Sequence, residues 1–159
     1  MTTVVRVHQV LVHTSLQSAF DYVSDLTLHP EWSGGKLRIE AVTPGQIAVG
    51  KEYLSRGEVA IQKDRPNTVQ VAQYEPPHKF GFVANDPDFG KVLHVFTFTE
   101  QDGEVLIKRT MTVNLNPIIA IAFRLFVYPL IGSPSMEKSM KALKARLEDK
   151  NHQSESVHN

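Results

Sequence analysis

The pattern of this chain predicts an α+β fold, a curved antiparallel sheet covered on one face by a long C-terminal helix. Three observations carry that expectation. Short runs that alternate apolar and polar side chains, each bounded by Pro, Gly, Asn or Asp, fill most of residues 37–114, as in an antiparallel meander. A helical apolar period occurs near the N-terminus and returns only after residue 116. The 159 residues suit one domain, a size at which about two-thirds of the unfolded surface is buried on folding, so a core with a hollow in it is thermodynamically reasonable.

Residues 3–13 are valine-rich and unbroken, which favours a strand. Ser15 then offers an N-cap, and Leu16, Ala19, Phe20 and Val23 form the stripe of a helix running to about Leu26. His29-Pro30 forces a turn or a new short helix, because the residue before proline avoids the α region. After the double glycine at 34–35, strands are expected at Leu37–Val42, 50–61, 67–74, 78–84, 91–100 and 104–114, with "QDG" at 101–103 as a tight hairpin. Residues 117–131 and 135–148 read as helices, the second striped by Met136, Met140, Leu143 and Leu147. "GSP" at 132–134 is expected to interrupt or kink the run. The domain is assigned to residues 1–150, and 151–159 to a frayed polar tail.

Composition removes several functions. Lys plus Arg and Asp plus Glu number 17 each, so no overall field draws the chain to nucleic acid or to an anionic membrane, although local patches are compatible with the balance. With no cysteine, disulfides, thiolate nucleophiles and cysteine-bound zinc are excluded. Histidines 8, 13, 29, 78, 152 and 158 show no metal spacing, and neither a metal nor an organic cofactor is expected. The N-terminal stretch lacks the basic start and cleavage site of a signal peptide, so a cytoplasmic location is the default expectation.

Residues 13–34, "HTSLQSAFDYVSDLTLHPEWSG", then "VGKEY", "YEPPHKFGF", "FTFTEQDGEVLIKRTMTV" and "LKARLE" follow one another in the order and spacing of the START and polyketide-cyclase superfamily, which the chain resembles over about residues 4–148. The resemblance implies a helix-grip fold: two short helices after the first strand, and a seven-stranded antiparallel sheet wrapped round the C-terminal helix with a hydrophobic cavity between them. Its members include lipid carriers, hormone receptors, polyketide aromatases and cyclases, and co-chaperone modules. Fold alone does not choose among these.

Strand parity selects the side chains that face the helix. On the strand at 91–100, Val92, His94, Phe96 and Phe98 share a side; on 104–114, Val105, Ile107, Arg109, Met111 and Val113 do. An imidazole and a guanidinium therefore share apolar walls. For Arg109 the alternatives are a stem lying along apolar surface with its head in water, or a fork aimed inward at a carboxylate, phenolate or enolate oxygen. For His94 they are a satisfied structural group, or a proton shuttle titrating near physiological pH. Tyr53 is a further candidate for an inward hydroxyl. Trp32 corresponds, by the resemblance, to a position beside the cavity, and it is equally a core anchor. Phe80, Phe82, Phe96, Phe98, Met111, Phe123 and Val127 complete the candidate ligand wall.

The segment 118–131 is apolar nearly all round and shorter than the roughly 20 residues of a membrane span. Phe123, Phe126, Val127 and Leu130 are candidates for a roof, with Gly132 and Pro134 as its hinge. The opposite face is a candidate contact for a membrane, another protein or a second copy, and simple burial is the alternative. Two functional classes follow. One is binding of a small hydrophobic ligand such as a lipid, isoprenoid or aromatic metabolite. The other is a cofactor-free cyclase, aromatase or dehydratase in which Arg109 and Tyr53 stabilise an enolate and His94 moves the proton. A protein-interaction module through the apolar helix is a third.

Overall fold

β1 (Thr2–Val12) opens the chain in a computed structural model that describes residues 1–33, 35–59, 62–86 and 90–156. Gly34, residues 60–61 of the third expected strand and residues 157–159 of the expected tail lie outside the described residues. Ser15 accepts a hydrogen bond from the Ser18 amide and so caps α1 (Leu16–Ser24). Asp25 does the same for a short 3-10 helix, Leu26–Glu31, through the Thr27 amide. Six strands follow: β2 (Leu37–Ala41), β3 (Glu52–Val59), β4 (Gln62–Glu75), β5 (Lys79–Asp86), β6 (Gly90–Gln101) and β7 (Glu104–Leu115).

All seven strands form one antiparallel sheet in the order β1-β7-β6-β5-β4-β3-β2. Strands β2 to β7 are successive neighbours, and β1 adds beside β7, so α1 and the 3-10 helix carry the chain from one edge of the sheet to the other. The "QDG" turn holds Asp102 and Gly103 at φ 51° and 84°, the left-handed pair that a two-residue hairpin requires. Register shifts occur at Gly57/Val59 and Val71/Gln73, where bulges add local twist. The alternation expected on β6 and β7 is the one observed: Val92, His94, Phe96 and Phe98, and Val105, Ile107, Arg109, Met111, Val113 and Leu115, are the buried sets.

The C-terminal region departs from expectation. α2 (Pro117–Ala122) runs without a break through a π-helical stretch, Phe123–Gly132, into α3 (Ser133–Ser156). "GSP" therefore does not interrupt the helix. Pro129 lacks the amide that an α-turn uses and its ring crowds the preceding turn; the wider π-turn leaves room for it. Gly132 is a packing residue, since a Cβ there would lie 2.6 Å from Cδ2 of Tyr128. The helix also continues through Ser156, past the expected boundary at 150.

Two apolar clusters fill the space between sheet and helices. The larger joins Phe20, Trp32, Phe80, Phe82, Phe96, Phe98 and Ile107 to Met140, Leu143 and Leu147 of α3. The smaller gathers Val4, Val92, Met111, Val113 and Leu115 under Ala120, Phe123 and Tyr128. His94 and Arg109 belong to neither cluster, although both are buried.

Candidate functional site

The β7 register places Arg109 between His8 of β1 and Phe96 of β6, and the β6 register places His94 between Phe82 of β5 and Met111 of β7. Both side chains face the interior, with 6% exposure for Arg109 and 9% for His94. The reading of Arg109 as a stem with its head in water is thereby overturned: the strand's parity turns it toward α3. Its Nη1 donates to Ser139 Oγ at 3.3 Å and its Nη2 to His94 Nδ1 at 3.4 Å. The guanidinium carbon lies 5.2 Å from the Phe96 ring centroid and 5.9 Å from that of Trp32, within cation-π range.

No acidic side chain among the described residues pairs with Arg109. Its Nε is buried without a hydrogen-bond partner in the protein, and so are Nε1 of Trp32 and Nδ1 of His29. The three groups are neighbours. His29 stacks on Trp32 at 4.1 Å and 16°, meets Phe82 edge-on at 5.8 Å, and Phe82 in turn lies 5.1 Å from His94. A buried charged donor and a buried indole N–H without a protein acceptor are costly by several kcal/mol unless a ligand or water accepts from them.

Burial lowers the Arg109 pKa to about 10, which leaves it cationic at neutral pH. Burial, then the Arg109 charge, then His29 hold His94 well below the ordinary histidine range, and burial together with Arg109 holds His29 at about 3. Both imidazoles are neutral at pH 7. His94 accepts at Nδ1 from Arg109, so its proton sits on Nε2. This differs from the expectation of a histidine titrating near physiological pH: His94 is held neutral, and the Arg109 cation lies beside neutral imidazoles that include its acceptor.

Tyr53 is buried on β3, but no described hydrogen bond joins it to Arg109 or His94. Burial, then Asp25 and Tyr74, raise its phenol pKa, and Lys51 lies over its ring. Among the described hydrogen bonds, only Arg109 and His94 of the three candidates are joined directly. Trp32, Phe82 and Phe96 surround that pair; Phe80 and Phe98 belong to the larger core cluster, where Phe98 packs on Phe20 of α1 at 5.6 Å. Met111, Phe123 and Val127 form the other wall. Phe126 and Leu130 do not roof anything, being 61% and 74% exposed.

Ser139, His29, His8 and Tyr128 were not among the expected site residues. His8 and Tyr128 are hydrogen-bonded to each other, and the Arg6 guanidinium lies 4.9 Å above the Tyr128 ring. Three of the four carried a signal: His8 shares parity with Val10 and Val12, Ser139 stands four residues before Leu143 on the apolar stripe of α3, and His29 precedes Trp32 by one turn. Two hollows of about 440 and 400 Å³ open on the surface, one beside Glu100, Gly103 and Glu104, the other between Ser18, Tyr22 and Lys150. Neither is lined by Arg109 or His94. The polar cluster is closed in this conformation.

The profile of a family described as polyketide cyclase / dehydrase and lipid transport matches residues 2–148. No curated protein matches the chain. Among solved structures, the di-domain ARO/CYC StfQ from the steffimycin biosynthetic pathway superposes with a TM-score of 0.73 at 11% identity, over 94% of this chain and 52% of that one. A norcoclaurine synthase point mutant from Thalictrum flavum, in complex with a transition-state analogue, gives 0.69 at 15% identity, over 94% and 97%. The protein TTHA0849 of Thermus thermophilus gives 0.70 at 17% identity, over 90% and 96%. At these identities the likeness establishes the fold.

Proposed function

The chain belongs to the polyketide cyclase / dehydrase and lipid transport family, and on that premise we propose that it binds a small amphipathic ligand whose oxygen-bearing end meets Arg109. The apolar body of the ligand lies between Phe82, Phe96 and Trp32 on one side and Met111, Phe123 and Val127 on the other. A carboxylate, phenolate or enolate oxygen accepts from Arg109 Nε, with Trp32 Nε1 beside it. The observation that carries this reading is a buried guanidinium with, among the described residues, no acidic partner and no acceptor for its Nε. Such a charge is tolerated when a ligand or water supplies the missing acceptor.

Entry requires the two apolar clusters to part, and the helix that carries Phe123, Val127 and Tyr128 is the element resting on Met111. Anilinonaphthalene sulfonate, an anionic fluorescent amphiphile, and neutral phenylnaphthylamine separate the roles of shape and charge. Arg109→Met is expected to weaken the anionic probe about tenfold or more, the worth of a charge-assisted hydrogen bond, and to leave the neutral probe nearly unchanged. Equal losses for both probes remove Arg109 from the site.

A second reading is favoured by one observation, the pairing of Arg109 with a neutral His94. A guanidinium donor on a carbonyl oxygen stabilises an enolate, the charge that develops when a poly-carbonyl chain closes on itself. In that reading the protein is a cofactor-free cyclase or dehydratase, and the walls hold the chain in reactive geometry. A purified protein that returns a poly-β-ketone thioester analogue unchanged is a carrier. Loss of a ring-closed product in both His94→Phe and Arg109→Met marks the enzyme.

A further inference from the structure

We infer that the outward face of Pro117–Gly132 docks on a lipid surface bearing anionic head groups. Ile118, Ile119, Ile121, Leu125, Phe126 and Leu130 on this stretch are all more than half exposed, a concentration of apolar side chains that soluble surfaces rarely carry without a use. Within α2 the three isoleucines span about 160° of the helix circumference at 100° per residue, and only Ala120 turns into the core. A flat protein patch covers one side of such a ridge. A helix half-sunk in a bilayer interface covers all of it.

Three further observations select lipid as the occupant. The continuous helix Pro117–Gln153 is long and apolar enough, by length and composition, to enter a membrane, yet its apolar stretch is largely unburied in the fold. From residue 117 to residue 136 there is no acidic side chain, and the one charge is the cation Arg124. Arg124 donates to the Thr3 carbonyl at the sheet edge, which turns its charge away from the ridge. Beyond the ridge, exposed Lys138 and Lys141 outnumber the adjacent exposed Glu137, so the end of the face that meets α3 is basic although the chain as a whole is neutral. An apolar ridge with cations at its margin complements an anionic bilayer, whose negative surface potential attracts them. The inner side of the same helix supplies Phe123 and Val127, so seating the outer face would bring the helix that covers the smaller apolar cluster to the lipid.

Flotation of the full chain with vesicles of phosphatidylcholine, alone or mixed with phosphatidylglycerol, tests the inference. The protein is expected to float with both and more strongly with the anionic mixture. The triple variant Ile121→Asp, Leu125→Asp, Leu130→Asp is expected to lose partitioning by about tenfold or more, with circular dichroism and thermal midpoint showing that it still folds. The pair Lys138→Glu, Lys141→Glu is expected to lose only the preference for anionic vesicles. Arg109→Met should float like the parent, which separates this inference from the ligand reading. Failure of the parent to float with either vesicle overturns it, as does flotation of the triple variant equal to the parent's. A concentration-dependent dimer in sedimentation velocity, abolished by the triple variant and unaccompanied by flotation, overturns it in favour of a second copy.

Discussion

Arg109 keeps its charge in a place where the protein offers only Ser139 and His94 as acceptors, and the price is visible in its neighbours. The field of the guanidinium, added to burial, keeps His94 and His29 neutral. In the unfolded chain both titrate near 6.5; in the folded protein His29 does so at about 3 and His94 well below its ordinary range. Folded protein therefore binds fewer protons than unfolded protein throughout the window below 6.5, and stability falls as pH falls toward 3. Each buried histidine contributes a slope of about 1.4 kcal/mol per pH unit there. Urea denaturation at pH 7 and pH 5 is expected to show a smaller loss for His29→Phe than for the parent, and equal losses would place His29 in contact with solvent. The candidacies of His94 and Arg109 were legible because strand parity is a local rule. Tyr53 was grouped with them for its buried hydroxyl, but its position relative to β7 depends on the curvature of the whole sheet, which no local pattern reports. Ser139 needed the same long-range knowledge, since its partner is thirty residues away in the chain.

Among the elements, the strands followed from alternation and turn chemistry, and Ser15 and "QDG" marked an entry and a hairpin correctly. Ser15→Ala is expected to cost about 1 kcal/mol through the lost N-cap, measured by chemical denaturation. The break expected at "GSP" failed because proline and glycine were read as punctuation, whereas a π-turn absorbs Pro129 and the Tyr128 ring occupies the space beside Gly132. Gly132→Ala is accordingly expected to destabilise by roughly 1–3 kcal/mol, the usual penalty of overpacking. An unchanged denaturation midpoint would show that Tyr128 moves aside freely and that the π stretch is slack. Helical wrapping of the backbone also explains why Phe126 and Leu130 left the expected roof: in a widened turn, side chains spaced for an α-helix no longer share a face with Phe123 and Val127.

Across the whole molecule, the order of strand, two short helices, six strands and a terminal helix was readable, and the resemblance supplied the seven-stranded sheet round the C-terminal helix, while the pairing of β1 with β7 came from the structure. The division of the interior was not readable, because it depends on which buried positions are polar across three separate elements. His94, Arg109 and Ser139 are buried beside the two apolar clusters, and the proposed site for a ligand with one polar end is that group of residues. The Nε–H of Arg109 reports on it directly. In nitrogen-15 NMR spectra, its resonance is expected to shift strongly downfield when an anionic amphiphile binds and to stay in place with a neutral one of similar shape. An unmoved Nε–H signal while the anionic amphiphile binds with full affinity would place the ligand elsewhere and contradict the account.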